Sequence, residues 1–266
     1  MSVRVGTSGY DYRPWYGPFY PEDLPKKRML GYYASRFSTV EINYSFYRKP
    51  TAKILQAWAA QVPEGFRFAL KAWQRITHHK RLRGTGEFLA AFAEVARALG
   101  PRLAPILYQL PPNLKPDLPL LRDFLAQLPK DLLAAFEFRH PGWLTDETFT
   151  ALGDAGAALC VADSEELTAP LVRTAPFGYF RLRRERYDDA ALDRWADGIG
   201  AAGFTGDVHV YFKHEDEARG PILADAFIRR FSGPPLPATS PDRTAGAPRR
   251  PAKARVAATS RHRRKR

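Results

Sequence analysis

The chain of 266 residues has one cysteine, Cys160, and two methionines. A single cysteine cannot close an internal disulfide, which excludes the disulfide-stapled class of small secreted folds. Neither HExxH nor a paired CxxC occurs, so a structural zinc site is not expected to organise the fold. No stretch approaches the roughly 18 consecutive apolar residues of a membrane-crossing helix. The opening Met1-Ser2-Val3-Arg4-Val5-Gly6 lacks the apolar core of a secretory signal. These absences predict a cytoplasmic protein with no membrane partner. Apolar and charged residues are plentiful, at 45% and 26%, which suits one large domain or two small ones and excludes disorder over most of the chain.

The formal net charge of +13 is unevenly distributed. Ten of the 41 Lys and Arg lie after residue 231 but only one of the 28 acids, Asp242, which leaves +4 for residues 1–231. The segment 232–266 also carries six prolines and no aromatic residue, so it cannot bury enough apolar surface to offset its ordering entropy. A disordered basic tail over 232–266 and a folded domain over 1–231 are therefore predicted. Residues 243–266, ending in Arg261-His262-Arg263-Arg264-Lys265-Arg266, can release counterions from a polyphosphate and are where a sequence-independent nucleic-acid contact is expected. A solvated tail with no dedicated partner is the plainer expectation.

Within 1–231, short β-rich runs alternate with amphipathic stretches of helical period, the pattern of repeated βα units. Strands are predicted over 3–6, 39–43, 67–71, 104–109, 134–139, 157–162, 177–183 and 208–213. Helices are predicted over 26–36, 52–61, 87–99, 118–128, 146–155, 190–201 and 222–231, while 164–172 is a weak helical stretch. Eight strands in this length predict an α/β fold, a single TIM-like (β/α)8 barrel.

Side chains alternate along a strand, so each run divides into a face toward the helices and a face toward the barrel axis. Val40 and Ile42 separate from Thr39, Glu41 and Asn43; Phe68 and Leu70 from Ala69 and Lys71; Phe136 and Phe138 from Ala135, Glu137 and Arg139. The same sorting assigns Ser8, Gln109, Asp163, Arg181, Arg183, Tyr211 and Lys213 to the axis. Nearly all the polar members fall at the C-terminal ends of their strands, where the βα loops of this fold build active sites. Five cationic residues, Lys71, Arg139, Arg181, Arg183 and Lys213, face three acids, Glu41, Glu137 and Asp163. Glu41 with Lys71, and Glu137 with Arg139 or Arg181, are the natural pairs, and the surplus cations suit a phosphate or carboxylate.

Several ordered motifs carry a resemblance. Gly6-Thr7-Ser8-Gly9-Tyr10 with Trp15, Phe19-Tyr20-Pro21, Tyr32-Tyr33-Ala34 and Phe37 resembles the start of the DUF72 family, the YecE-like proteins. Thr39-Val40-Glu41-Ile42-Asn43 with Phe46-Tyr47, Phe68-Ala69-Leu70-Lys71 followed by Thr77-His78, Gln109-Leu110-Pro111-Pro112, and Glu137-Phe138-Arg139-His140 with Trp143 extend it through residues 3–231. The resemblance implies a TIM barrel and no established activity. Two places depart from the commoner family pattern: Arg181-Leu182-Arg183-Arg184 stands where many members read Arg-Leu-His-Gly, and Tyr211-Phe212-Lys213-His214-Glu215 where many read Tyr-Phe-Asn-Asn-Asp. Both departures add positive charge to the mouth.

Gly6-Thr7-Ser8-Gly9 has the hydroxyls of an anion loop but not the spacing or lysine of a P-loop, and a tight barrel turn explains it better. His78 and His140 are the expected acids or bases of the mouth, with His140 pairing to Asp163. Tyr47 and Trp143 are the expected stacking surfaces, among other loop aromatics. A divalent metal held by Glu41, Glu137, Asp163 and His140 is disfavoured by the five cations nearby, and a glycosidase pair of Glu41 and Glu137 by their origin on strands two and five. The function expected is that of an enzyme acting on a small anionic substrate, phosphorylated or carboxylated and sugar-like, by general acid/base chemistry. Ser8, Asn43, Lys71, Gln109, Arg139, Arg181, Arg183, Lys213, Tyr47 and Trp143 are the expected substrate contacts. Glu41 or Glu137 is the expected base, His78 or His140 the acid, and Asp163 the partner of His140. The cofactor is unassigned. The alternative is a nucleic-acid-associated protein or nuclease using the tail and the basic mouth.

Overall fold

The computed structural model describes residues 1–231, so the expectations for the tail and for its nucleic-acid contact lie outside the described residues. Eight parallel strands run β1 Val3–Ser8, β2 Thr39–Ile42, β3 Arg67–Leu70, β4 Ile106–Gln109, β5 Ala134–Glu137, β6 Ala158–Asp163, β7 Gly178–Leu182 and β8 Val208–Phe212. Their hydrogen-bonded order is β3-β2-β1-β8-β7-β6-β5-β4. The ring closes between β3 and β4, where Ala104 N–H donates to the Phe68 carbonyl at 2.9 Å and Ala72 N–H to the Leu107 carbonyl at 2.8 Å. This is the TIM-like barrel that the alternation of runs predicts, since parallel neighbours need a long crossover connection, usually a helix.

The helices α1 Met29–Ala34, α2 Tyr44–Tyr47, α3 Ala52–Ala59, α4 Gly86–Ala96, α5 Leu118–Ala126, α6 Asp146–Asp154, α7 Asp189–Ala201 and α8 Arg219–Ile228 fill those crossovers. Their starts are written in the sequence. Thr51, Asp117, Thr145 and Asp188 each accept a backbone N–H of the first turn through their side-chain oxygen. The weak stretch after β6 forms no helix, and Ser164–Phe177 returns to β7 as loop and bends. Two elements have no clear sequence signal: the single turn α2, and a π-helical turn, Arg75–His79, in the loop after β3. Both crowd the same sector of the barrel mouth.

Alternation divides the apolar residues into two cores. Outward residues such as Val40, Phe68, Tyr108, Phe136, Leu159, Phe180 and Val210 pack beneath the helices. Inside the ring a second cluster holds Ala69, Leu107, Ala135, Ala158, Cys160, Ala162, Tyr179 and Tyr211. Small residues on β3, β5 and β6 leave room for the large rings of Tyr179 and Tyr211, so the lumen is packed rather than hollow. Thr39 Oγ1 and the Tyr211 hydroxyl share a hydrogen bond of 2.9 Å at this level.

Candidate functional site

Two residues further along each strand, at the next inward position, the lumen changes character. Ser8, Glu41, Lys71, Gln109, Glu137 and Arg181 are all buried, at 9% exposure or less, and all lie at the C-terminal ends of their strands. Arg181 of β7 organises this layer. Its Nη2 donates to Glu41 Oε1 at 2.9 Å and to Ser8 Oγ at 3.2 Å, while Nη1 donates to Glu137 Oε2. One guanidinium therefore joins carboxylates from β2 and β5, residues that the strand order keeps apart around the ring but that meet across the lumen. The planar fork of Arg makes this double engagement feasible where a Lys point charge would not.

Each carboxylate is further engaged. Glu41 accepts from Ser8 Oγ on Oε1 and from the Tyr179 hydroxyl on Oε2 at 2.7 Å, and Asn43 Nδ2 supports Ser8 at 3.0 Å. Glu137 Oε1 accepts from Arg139 Nε and lies 3.8 Å from Arg183 Nη1. Burial pushes the Glu137 carboxyl up, but Arg181, Arg139 and Arg183 together outweigh that and hold it down at about 2. Gln109 Oε1 accepts from Arg139 Nη2 at 3.5 Å, placing this side chain on the same guanidinium.

Lys71 behaves differently from its neighbours. Its Nζ sits 4.0 Å from the centre of the Phe46 ring, and among the described residues no hydrogen bond or ion pair reaches it. The expected Glu41–Lys71 pair does not form, because Ser8, Tyr179 and Arg181 engage both oxygens of Glu41. Burial and the Arg181 guanidinium, against the opposing pull of the Glu137 and Glu41 carboxylates, bring the Lys71 ammonium down to about 7. His78, on the π-helical turn, meets the same Phe46 ring edge-on at 4.8 Å and shares a 2.9 Å hydrogen bond with Thr77 Oγ1. Burial, with Lys71 nearby, lowers its imidazole to about 4.

Comparison with known proteins agrees with this architecture. The profile of the family described as "Protein of unknown function DUF72" matches residues 4–245. The chain belongs to the DUF72 family. It is similar to UPF0759 protein YecE of Escherichia coli (strain K12), 34% identical over 110 residues, a stretch covering 41% of this chain and 40% of that protein. It is also similar to UPF0759 protein YunF of Bacillus subtilis (strain 168), 29% identical over 181 residues and 62% of each chain. The matched stretches thus span less than two thirds of either relative. Among solved structures, a DUF72 family protein of Thermotoga maritima MSB8 superposes with a TM-score of 0.79 at 25% identity, covering 87% of this chain and 99% of that one. One from Enterococcus faecalis V583, at 19% identity and a TM-score of 0.70 over 85% and 96% of the two chains, shares the fold.

In this DUF72 barrel Arg183 and Lys213 share one cleft of about 770 Å³ beside the mouth, whose walls also carry Arg219 and the acids Glu185, Glu215, Asp216 and Glu217. Lys213 Nζ lies 3.7 Å from Glu215, and Arg183 Nε is buried without a partner among the described residues.

Four expected residues stand elsewhere. Asp163 points out of the lumen, since Ala158, Cys160 and Ala162 take the inward positions of β6. Its Oδ1 accepts from Thr168 Oγ1 at 2.7 Å and Arg184 Nε at 2.7 Å, and its Oδ2 from the Tyr187 hydroxyl at 2.9 Å. The expected His140–Asp163 pair is therefore absent. His140 Nδ1 accepts instead from Gly142 N at 3.1 Å, capping the turn Pro141–Trp143. Trp143 is fully buried, stacks on Phe138 at 5.1 Å and donates from Nε1 to the Leu114 carbonyl at 2.9 Å, so it is a packing residue. Tyr47 lies at the rim with its side chain largely in solvent.

Gly6-Thr7-Ser8-Gly9 is not the expected tight turn: Gly6, Thr7 and Ser8 are the paired end of β1, and the chain leaves the strand only at Gly9. Gly9 has a φ of 97°, Thr7 N–H donates to the Tyr33 hydroxyl at 2.8 Å, and Gly9 N–H donates to the Glu41 carbonyl at 2.8 Å. Tyr179, the second support of Glu41, is a site residue that sequence reasoning missed. Its inward parity with Arg181 on one strand is the signal that could have found it. With Asp163 outside, the lumen layer and rim carry the cations Lys71, Arg139, Arg181, Arg183 and Lys213 against the carboxylates Glu41, Glu137 and, beside Lys213, Glu215. Among the described residues, no three His, Cys, Asp or Glu side chains form a group able to hold a metal ion.

Proposed function

We propose that the mouth of this barrel binds a small anionic molecule, phosphorylated or carboxylated and sugar-like, and acts on it by general acid/base chemistry. The observation that carries this reading is the mismatch between charge and pairing. Glu41 and Glu137 are wholly buried and engaged by Arg181, while Arg139, Arg183 and Lys213 keep 27%, 18% and 33% of their side chains exposed at the rim. Arg181 and Arg139 together balance the two carboxylates, so Arg183 and, beside Glu215, Lys213 are the cations left to favour an incoming anion, which gains charge-assisted hydrogen bonds in a partly desolvated site. Arg181 then acts as a positioning residue beneath the ligand rather than as its clamp.

The proton-transfer groups differ from those expected on sequence. A carboxylate held near 2, as Glu137 is, makes a weak base at neutral pH. Lys71, at about 7, is matched to that pH, and His78 packs on the same Phe46 ring. We assign general base chemistry to Lys71, with His78 as its neighbour in the same apolar sector. The compartment that fits a chain with one buried, unpaired cysteine is the cytoplasm.

The test is a thermal-shift titration of the full chain with inorganic phosphate and with small carboxylates, because a ligand of the native state raises the midpoint. The wild-type midpoint is expected to rise, and Arg139→Ala and Arg183→Ala to reduce the rise at equal ligand concentration. A shift identical in both variants would place the anion elsewhere and overturn the reading.

A further inference from the structure

Lys71 is more tightly prepared than a proton-transfer role requires. Its backbone is fixed on both sides: Lys71 N–H donates to the Ile42 carbonyl at 3.2 Å, and Ser45 Oγ donates to the Lys71 carbonyl at 2.7 Å. The next residue, Ala72, closes the barrel by donating to Leu107. The side chain therefore rises from a rigid strand end into the charged layer, yet both carboxylates of that layer are occupied by other donors. Nζ rests against the Phe46 face, with the Arg181 guanidinium nearby as a like charge. The ring face favours the ammonium, but burial without an ion-pair partner and beside a fixed cation favours the neutral amine, which is a nucleophile as well as a base.

We propose that Lys71 is a covalent nucleophile that forms an imine with the carbonyl carbon of a small anionic aldehyde or ketone. This rests on the anion-binding reading of the mouth and narrows its substrate class to compounds bearing a carbonyl near their phosphate or carboxylate. The Nζ lone pair forms a bond to the carbonyl carbon as the C=O π pair moves onto oxygen. A proton passes from nitrogen to that oxygen, giving a carbinolamine. The nitrogen lone pair then forms the C=N bond as the oxygen leaves as water, taking the second Nζ proton. Amine and carbonyl become imine and water, with no change in oxidation state. Arg139 and Arg183 at the rim provide the charge complement for the substrate's anionic end.

The experiment is reductive trapping on the full chain at pH 7. Glyoxylate, pyruvate and glycolaldehyde phosphate are each added with cyanoborohydride, and the products are read by intact mass and peptide mapping. Surface lysines near the ordinary value of about 10.5 are almost wholly protonated at this pH, whereas a lysine near 7 is about half free. Labelling of Lys71 at least about tenfold above any other lysine, lost in Lys71→Arg, is the expected result. The arm that labels fastest distinguishes a carboxylate from a phosphate as the anionic group. Adducts spread over exposed lysines with Lys71 unlabelled would overturn the proposal. The phosphate thermal shift, run on the same preparation, separates the two failures. A shift that depends on Arg139 with Lys71 unlabelled leaves the anion site standing and removes the nucleophile. No shift and no label removes both.

Discussion

The two halves of the barrel lumen are built on the same strands by the same alternation, and they solve the burial of polar groups in opposite ways. Between the charged layer and the Arg4–Asp207 ion pair of the N-terminal end, the lumen is neutral. His209, Tyr211 and Tyr179 stack along one wall, at 6.4 Å and 5.2 Å between successive rings, and Tyr211 pairs with Thr39. Burial keeps the His209 imidazole uncharged, down to about 3. Toward the C-terminal ends the lumen is ionic, with Arg181 between Glu41 and Glu137. A neutral hydrogen-bonded layer can be exchanged for apolar groups at small cost, whereas a buried ion triad is costly to desolvate and is strongly destabilising when one member is lost. The charged half thus carries a desolvation penalty that the neutral half, which is ordinary packing, does not.

The contrast sharpens when each half is broken in turn. Arg181→Met leaves two carboxylates buried without their shared cation and is expected to destabilise the domain by about 3–5 kcal/mol in denaturant unfolding. Adding Glu41→Gln and Glu137→Gln to the same chain should recover a large part of that loss; no recovery would mean that packing, not charge, makes Arg181 essential.

Acid is the milder way to break the same half. The Glu137 carboxyl is held at about 2 in the folded protein against an ordinary 4.5. Below 4.5 the unfolded chain takes up a proton that the folded chain refuses, so the stabilisation is complete above 4.5 and disappears as pH falls toward 2. A shift of this size corresponds to about 3 kcal/mol. The difference in stability between wild type and Glu137→Gln, measured by unfolding from pH 6 downward, should therefore shrink as the medium becomes more acidic. A constant difference would contradict the electrostatic account of this layer.

In the neutral half, Tyr211→Phe removes one hydroxyl from Thr39, which still donates to the Arg67 carbonyl at 3.0 Å. The expected loss is only about 0.5–1 kcal/mol by the same unfolding measurement. A loss as large as that of Arg181→Met would erase the distinction between the halves.

How far the sequence went is clearest at β5 and β6. In β5 the large outward Phe136 alternates with Ala135 and Glu137, and that contrast in size and polarity reveals which face is which. In β6 the run Ala158–Asp163 is apolar on both faces until its last residue, so the residues do not reveal its parity, and Asp163, expected on the axis, faces outward. Helix starts were legible because Thr51, Asp117, Thr145 and Asp188 mark them with a local hydrogen bond. The turn Tyr44–Tyr47 and the π-helical turn Arg75–His79 carry no such mark, and they are the elements that bring Phe46 and His78 to Lys71.

The sequence by itself determined the barrel, its family and the end of the barrel that holds the polar residues, because period, capping and alternation are local properties repeated in every βα unit. Only the tertiary structure decided which charges meet. Ser8, Glu41, Glu137 and Arg181 come from four different strands, and their pairing depends on ring closure and on the depth each side chain reaches in the lumen. Lys71 became reactive in the same way. Burial, a neighbouring guanidinium and the engagement of both carboxylates elsewhere set its charge, and each of these is a relation between strands that no single segment encodes.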